Sequence, residues 1–259
     1  MLTAARRVFD TIFPPVCVLC GGLAAGPDTG VCARCDAALP RILPPYCRVC
    51  GAPFESGLAS RACLDCMSDP PPYALARAPL RYEGEARRSI LAFKFRLGVH
   101  RARGFADLLA SVVSMGVTWS DFDIAAPVPL HPRRLRERGY NPPLLIARRL
   151  LRQTPVALRP ELMQRVRDTP PQRGLSRAGR RDNVRSAFAV RDGETVAGLR
   201  VLLIDDVLTT GATAAECARV LMRAGAARVG VVTLARATRG RPVLDEDPID
   251  ETDEDSPSS

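Results

Sequence analysis

Residues 201–213 read VLLIDDVLTTGAT: four apolar residues, two adjacent carboxylates, then a turn of small hydroxylated residues. An ionised Asp only accepts hydrogen bonds, so Asp205 and Asp206 can bind the paired hydroxyl donors of a vicinal diol such as ribose. Thr209, Thr210, Gly211, Ala212 and Thr213 are small enough for the backbone to wrap a phosphate with its N–H groups. They lead into a helix whose positive end favours an anion. Diol and phosphate would thus be read from one continuous loop, a site for a sugar phosphate. A strand and polar turn opening a helix occur in any α/β domain, but here the acids and the threonine loop are contiguous and in the right order. No GxxxxGK[ST] is present, which excludes a Walker-type loop.

Val201, Leu202, Leu203 and Ile204 suit a strand buried on both faces of a parallel sheet, with the acids at its carboxyl end. Around it the pattern predicts a helix that carries Ile90 and Leu91 toward a core, and a second over 102–114 with Phe105, Leu108, Leu109 and Val112 on one face. A strand over 123–130, a helix over 144–151, a helix over 214–223 and a strand over 228–234 complete the alternation. The fold class expected is α/β, a Rossmann-like parallel sheet. Ligands of such sheets bind at the carboxyl ends of the strands.

Two arginine-rich tracts flank the motif. PVPLHPRRLRERGYN, read as a loop after the first strand, crowds Arg133, Arg134, Arg136 and Arg138, guanidiniums that can clamp a pyrophosphate bidentately. Residues 165–188 carry more arginines with turn residues and weak periodicity, which suits a mobile lid over an anionic ligand. Either tract alone would read as a solvated basic loop; their place beside a phosphate loop favours the ligand. His131 is the nearest candidate base, though a turn histidine holding backbone is the better reading.

Eight of the nine cysteines form four CxxC pairs: Cys17/Cys20, Cys32/Cys35, Cys47/Cys50 and Cys63/Cys66. Two such knuckles complete a tetrahedral four-cysteine zinc site with no open position for chemistry, so four imply two structural zincs. Sequential pairing puts Cys17, Cys20, Cys32 and Cys35 on one ion and Cys47, Cys50, Cys63 and Cys66 on the other, and it is favoured over an interleaved cross-brace. Gly21, Gly22 and Gly51 follow knuckles where a turn needs permissive dihedrals. Without a secretory signal, regular spacing favours metal over disulfides. Cys217 stands apart and reads as core.

The formal charge of +9 hides an asymmetry. Eight of the 28 acids fall in the last fifteen residues, so residues 1–244 carry 37 − 20 = +17, a body that attracts polyanions. All but one of the 37 cations are arginine, the exception being Lys94, so a basic surface alone says little. No run of about 18 apolar residues exists, so no membrane span is expected and the location is read as cytoplasmic. The organisation expected is an amphipathic helix over 1–14, a double zinc ribbon over 15–72, an α/β domain over 73–240 after Pro70, Pro71 and Pro72, and a disordered acidic tail over 241–259.

The 201–213 string resembles the phosphoribosyl pyrophosphate (PRPP) signature of type I phosphoribosyltransferases. That resemblance implies a ribose held by Asp205 and Asp206, and PRPP contacts from those acids through Val207, Leu208, Thr209, Thr210, Gly211, Ala212 and Thr213. Four CxxC knuckles, YEGEARRSILAFKF, PVPLHPRRLRERGYN, RDTPPQRGLSRAGRRDNVRSAF and LLIDDVLTTGAT, in that order, resemble the ComF family over roughly residues 15–236. The resemblance implies a double zinc ribbon joined to a type I phosphoribosyltransferase domain, with magnesium accompanying PRPP. It adds Lys94 to the PRPP set of Arg133, Arg134, Arg136 and Arg138, makes Asp205 and Asp206 catalytic, and singles out Asn141, Thr169, Gln172, Arg180 and Asn183. Pro142 departs from the family, which usually has Gln there. Single-stranded DNA and a DNA-uptake motor or recombination protein are the partners implied, either beside ribosyl transfer or in place of it. A non-catalytic PRPP sensor shares the ligand and needs no acceptor.

Overall fold

The computed structural model describes residues 16–24, 30–54, 61–95, 98–170 and 176–238. The expected N-terminal helix, Gln172 and the acidic tail lie outside them.

A parallel sheet organises the body, in the order β1 (Leu75–Arg77), β8 (Arg228–Arg236), β7 (Arg200–Leu208), β3 (Ile124–Pro127) and β4 (Ala157–Leu158); β2 (Leu80–Arg81) extends the β1 edge along β8. The motif strand β7 is central, and Val201, Leu202, Leu203 and Ile204 are fully buried, as a strand covered on both faces requires. The strand continues past the acids to Leu208, with Asp205 opposite Thr233 and Leu208 opposite Arg236. Asp205 and Asp206 therefore sit on a hydrogen-bonded strand rather than on a free turn.

Two short helices, α1 (Ala33–Ala37) and α2 (Leu64–Ser68), lie in the cysteine-rich region, and longer ones cover the faces of the sheet. On one, α3 (Gly84–Phe95), α4 (Ala102–Ala110) and α6 (Pro142–Leu150) bury Ile90, Phe93, Phe105, Leu109 and Ile146. Leu91, expected in that core, is only half-buried. Pro142 and Pro143 open α6, where a missing N–H removes a donor that has no intrahelical partner anyway. On the other face, α8 (Ala212–Arg223) buries Cys217 and Leu221 against the sheet, the core role expected for Cys217.

Both arginine tracts are more regular than their composition suggests. Pro132–Arg138 is a helix, α5, capped by His131, whose Nδ1 accepts from the Arg133 N–H at 3.4 Å, and closed by Gly139. Within the second tract, β5 (Met163–Arg165) pairs antiparallel with β6 (Phe188–Val190), and α7 (Arg177–Val184) lies between them with Ser176 Oγ accepting from the Gly179 N–H. Glu216 on α8 accepts from the Ser186 N–H at 2.8 Å, which ties this tract to the body where a free loop was expected.

The cysteine-rich region packs on the body. Cys17 and Cys35 share a core with Phe93 and Phe105, while Cys47, Cys50 and Cys66 share one with Leu203 and Cys217. Arg101 Nη1 donates to the Val18 carbonyl at 2.8 Å. The buried Arg77 guanidinium donates to the carbonyls of Met115, Ala76 and Arg48 and lies 5.3 Å from the Tyr46 ring, so one side chain joins sheet edge and ribbon.

Candidate functional site

Two four-cysteine clusters form, Cys17, Cys20, Cys32 and Cys35 in one and Cys47, Cys50, Cys63 and Cys66 in the other, each with its sulfurs within 4.8 Å of one another. This is the sequential grouping. The sulfurs of Cys20 and Cys32 are 3.8 Å apart and those of Cys50 and Cys63 are 3.7 Å apart. A zinc with bonds of about 2.3 Å needs a tetrahedral edge of about 3.8 Å, whereas a disulfide needs about 2.05 Å. The donor set therefore fits structural zinc. Knuckle backbones aim N–H groups at sulfur, with Cys50 and Cys63 donating to Cys47 Sγ at 3.4 and 3.2 Å. Hydrogen bonding from Cys50 pulls the Cys47 thiol down, while burial pushes the Cys66 thiol up. Gly21 and Gly51 take φ of +74° and +69°, the left-handed turn each knuckle needs.

A cavity of about 310 Å³ opens at the carboxyl ends of the strands. Asp205, Asp206, Val207, Thr209 and Thr213 line it, together with Lys94 and the arginines Arg87, Arg134, Arg138, Arg165 and Arg180. Lys94 Nζ pairs with Asp206 Oδ1 at 2.9 Å, both side chains being largely buried. Burial works against the lysine charge, but Asp206, Tyr82 and Asp205 outweigh it and the pKa of Lys94 is raised. Asp205 Oδ1 accepts from the Asp206 N–H at 2.9 Å. Burial and the neighbouring Asp206 carboxylate push Asp205 up to about 7.

The helix α5 divides the arginines. Arg134 and Arg138, four residues apart, share the face that lines the cavity. Arg133 instead pairs with Asp168 at 3.0 Å and Glu137 at 3.0 Å, and Arg136 is exposed outside the cavity lining. Arg138 lies 4.9 Å from the Phe95 ring, and burial lowers its pKa, as it does for Arg165. Leu208 at the end of β7, Thr210 and Gly211 in the loop, and Ala212 at the start of α8 do not line this cavity.

Arg165 was not singled out by sequence. It is buried, stacks 5.3 Å from the Phe188 ring, donates to Thr169 Oγ1 and keeps a buried Nε without a partner among the described residues. Thr169 is buried, and its carbonyl accepts from Arg134 at 2.8 Å, so it braces two of the cavity's cations. Asn183 donates to the Pro170 carbonyl at 3.1 Å, and Asn141 donates to the Val128 carbonyl at 3.1 Å. His131 caps α5 and stands 3.6 Å from Asp168, outside the cavity lining.

A parallel sheet with the acid pair on its central strand, behind two four-cysteine clusters, defines a phosphoribosyltransferase-fold protein with an N-terminal zinc-ribbon motif. Residues 8–67 match the double zinc ribbon domain and residues 144–256 the phosphoribosyl transferase domain. Over 226 residues the chain is 33% identical to the DNA utilization protein YhgH of Salmonella typhi, covering 86% of this chain and 97% of that protein. It is 30% identical to competence protein F of Haemophilus influenzae, covering 85% and 96%, and 29% identical to competence protein ComFC of Bacillus subtilis, covering 82% and 86%. The chain belongs to this ComF family. Among the described residues no helix is long and apolar enough to cross a membrane.

Proposed function

We propose that this protein binds PRPP with magnesium and transfers its ribosyl 5-phosphate group to an acceptor, in the cytoplasm. The observation that carries this reading is the convergence of an acid pair, residues of a phosphate loop, a lysine and five arginines on one cavity. Asp205 and Asp206 accept from the ribose 2′ and 3′ hydroxyls, and the backbone from Thr209 to Thr213 cradles the 5′-phosphate. Arg134, Arg138 and Arg165, partly desolvated, take the charge that grows on the departing pyrophosphate as the bond at the anomeric carbon breaks. Lys94 holds Asp206 in place. Magnesium, when bound, supplies further neutralisation of the pyrophosphate oxygens. The two cysteine clusters each hold one structural zinc, and the fold of the ribbon region depends on them.

A second reading keeps PRPP and omits catalysis, the protein handling single-stranded DNA or adapting it to a DNA-uptake motor or recombination partner. It is favoured by the cavity lining, which among the described residues contains no histidine, cysteine or glutamate to serve as an acceptor's base, and by the names of relatives associated with competence and DNA utilization. Pyrophosphate release from PRPP, measured with bases, nucleotides and single-stranded DNA in turn, separates the two. Release with one acceptor supports transfer. Binding of PRPP with no release from any of them leaves the second reading, which also requires DNA affinity that falls steeply with salt.

A further inference from the structure

A groove of about 620 Å³ lies between α7 and α8 and shares no residue with the cavity of the acid pair. Arg181 and Arg185 reach it from the end of α7, and Arg219 and Arg223 from the end of α8. Residues four apart on a helix share a face, so each helix presents a pair of guanidiniums to the groove. Only two acids, Asp182 and Glu216, line it with them. Asp182 pairs with Arg185 and Glu216 with Arg219, while Arg181 pairs with Asp69, outside the groove. A guanidinium carries five N–H donors, so one carboxylate does not exhaust it. Arg223 is exposed and makes no ion pair among the described residues.

The chain leaves the body beside this groove. After β8 ends at Arg236, the Ala237 N–H donates to the Leu208 carbonyl at 3.0 Å. Ala237 and Thr238 then border a neighbouring cavity whose lining also includes Arg181 and Arg219, so the two spaces share a wall. Beyond Thr238 come six residues, 239–244, and then 245–259, with eight acids and no lysine or arginine. Six residues span at most about 20 Å, which brings the first of those acids within reach of the shared arginines. A segment tethered this closely meets the groove at an effective concentration on the order of millimolar, enough for pairs that would be weak between separate molecules.

We propose that residues 245–259 dock in the groove between α7 and α8 as an intramolecular polyanion and shield it from other polyanions. The carboxylates answer the guanidinium donors that Asp182 and Glu216 leave over, and the contact is electrostatic, so it weakens with salt.

Lys94 is the one lysine of the chain, which makes an amine-to-carboxylate crosslink a clean readout. In the full zinc-loaded chain carrying Arg223→Lys, a water-soluble carbodiimide should join position 223 to a carboxylate within 245–259, located by mass spectrometry of the digested protein, and high salt should abolish the link. Arg149→Lys, exposed on α6 over the other face of the sheet, is the control and should give no such link. Shielding is read in parallel. A chain ending at Leu244 should bind a fluorescent oligothymidylate about tenfold tighter than the full chain at low salt, and Arg219→Gln with Arg223→Gln should remove most of that difference. No link at position 223, or links as frequent at position 149, overturns the docking. A link that forms only between chains, shown by mixing isotope-labelled and unlabelled protein, places a second copy's tail in the groove and overturns the intramolecular contact. Equal oligothymidylate affinity of the full and shortened chains, including none for either, overturns the shielding.

Discussion

Replacing Asp206 with Asn isolates the pair that anchors the cavity. Lys94 Nζ and Asp206 Oδ1 are 2.9 Å apart, with side-chain exposures of 20% and 11%. At an effective dielectric of about 20 that separation gives a gross attraction of about 6 kcal/mol, much of it offset by the cost of taking two charges out of water. Removing one partner of a buried pair ordinarily costs about 3–5 kcal/mol because the other charge is left uncompensated. Asp205 also raises the Lys94 pKa and persists in the variant, so a somewhat smaller loss, about 2–3 kcal/mol, is expected. For a chain of this size that is a fall in Tm of roughly 4–12 °C. The sign of the pH dependence follows from the lysine. A raised folded pKa gives stability that is complete below the unfolded value of about 10.4 and is lost as pH rises through the folded value. Above the titration of Asp205, from about pH 8 to 9, the difference between wild type and Asp206→Asn should therefore stay constant in calorimetric or circular-dichroism melts. Lys94→Met in the Asp206→Asn background should recover part of the loss, since the buried ammonium left without Asp206 is removed. An Asp206→Asn variant as stable as wild type, or one not helped by Lys94→Met, would refute the coupling.

The other expectations concern protons, zinc and the arginine that sequence did not single out. Asp205, pushed up to about 7, goes from about one-tenth ionised at pH 6 to about nine-tenths at pH 8, so PRPP affinity should rise about tenfold over that range beyond the change seen in Asp205→Asn. Its raised pKa also means that folding stability falls as pH climbs from about 4 to about 7, and Asp205→Asn should flatten that fall in urea titrations. Metal analysis should return two zincs per chain. Cys66→Ser should retain one, and because Cys66 shares a core with Leu203 it should also lower the melting temperature of the whole chain rather than of the ribbon alone. Arg165→Met should weaken PRPP binding by roughly 10- to 100-fold, the worth of a charge-assisted hydrogen bond, and Arg165→Lys should not restore it, because a point charge cannot replace a stacked guanidinium. Wild-type affinity in Arg165→Lys would remove the stacked geometry from the mechanism.

Sequence revealed the parts of the site that are local. The acid pair and threonine loop lie within thirteen contiguous residues, and the cysteine knuckles repeat at near-constant spacing, so each carries its own geometry. What could not be read was assembly across distance. Arg165 reaches the cavity only because β5 pairs with β6 and seats its guanidinium over Phe188, a tertiary pairing with no periodic signal in either segment. The arginine cluster was partly legible: His131 and Pro132 before the run and Gly139 after it are the start and stop signals of a helix. Reading that helix would have separated Arg134 and Arg138 from Arg133 and Arg136 by their four-residue spacing. Likewise Leu91 was placed on the core face by its apolar character, whereas the helix turns it toward the cavity that Lys94 borders. The packing of both cysteine clusters into the cores of the body has no signal in the sequence either, because a proline run reads as a boundary and the polar contacts that span it include Arg77 and Arg101 donating to backbone carbonyls of the cysteine-rich region.

The most direct test is calorimetric titration of the zinc-loaded chain with PRPP in the presence of magnesium, comparing wild type with the double variant Asp205→Asn, Asp206→Asn at matched zinc content. Binding at one site per chain in the wild type, lost in the double variant, is the predicted result. Equal affinity in both proteins would contradict the assignment of the acid pair to the ribose, and no binding in the wild type would contradict the ligand itself.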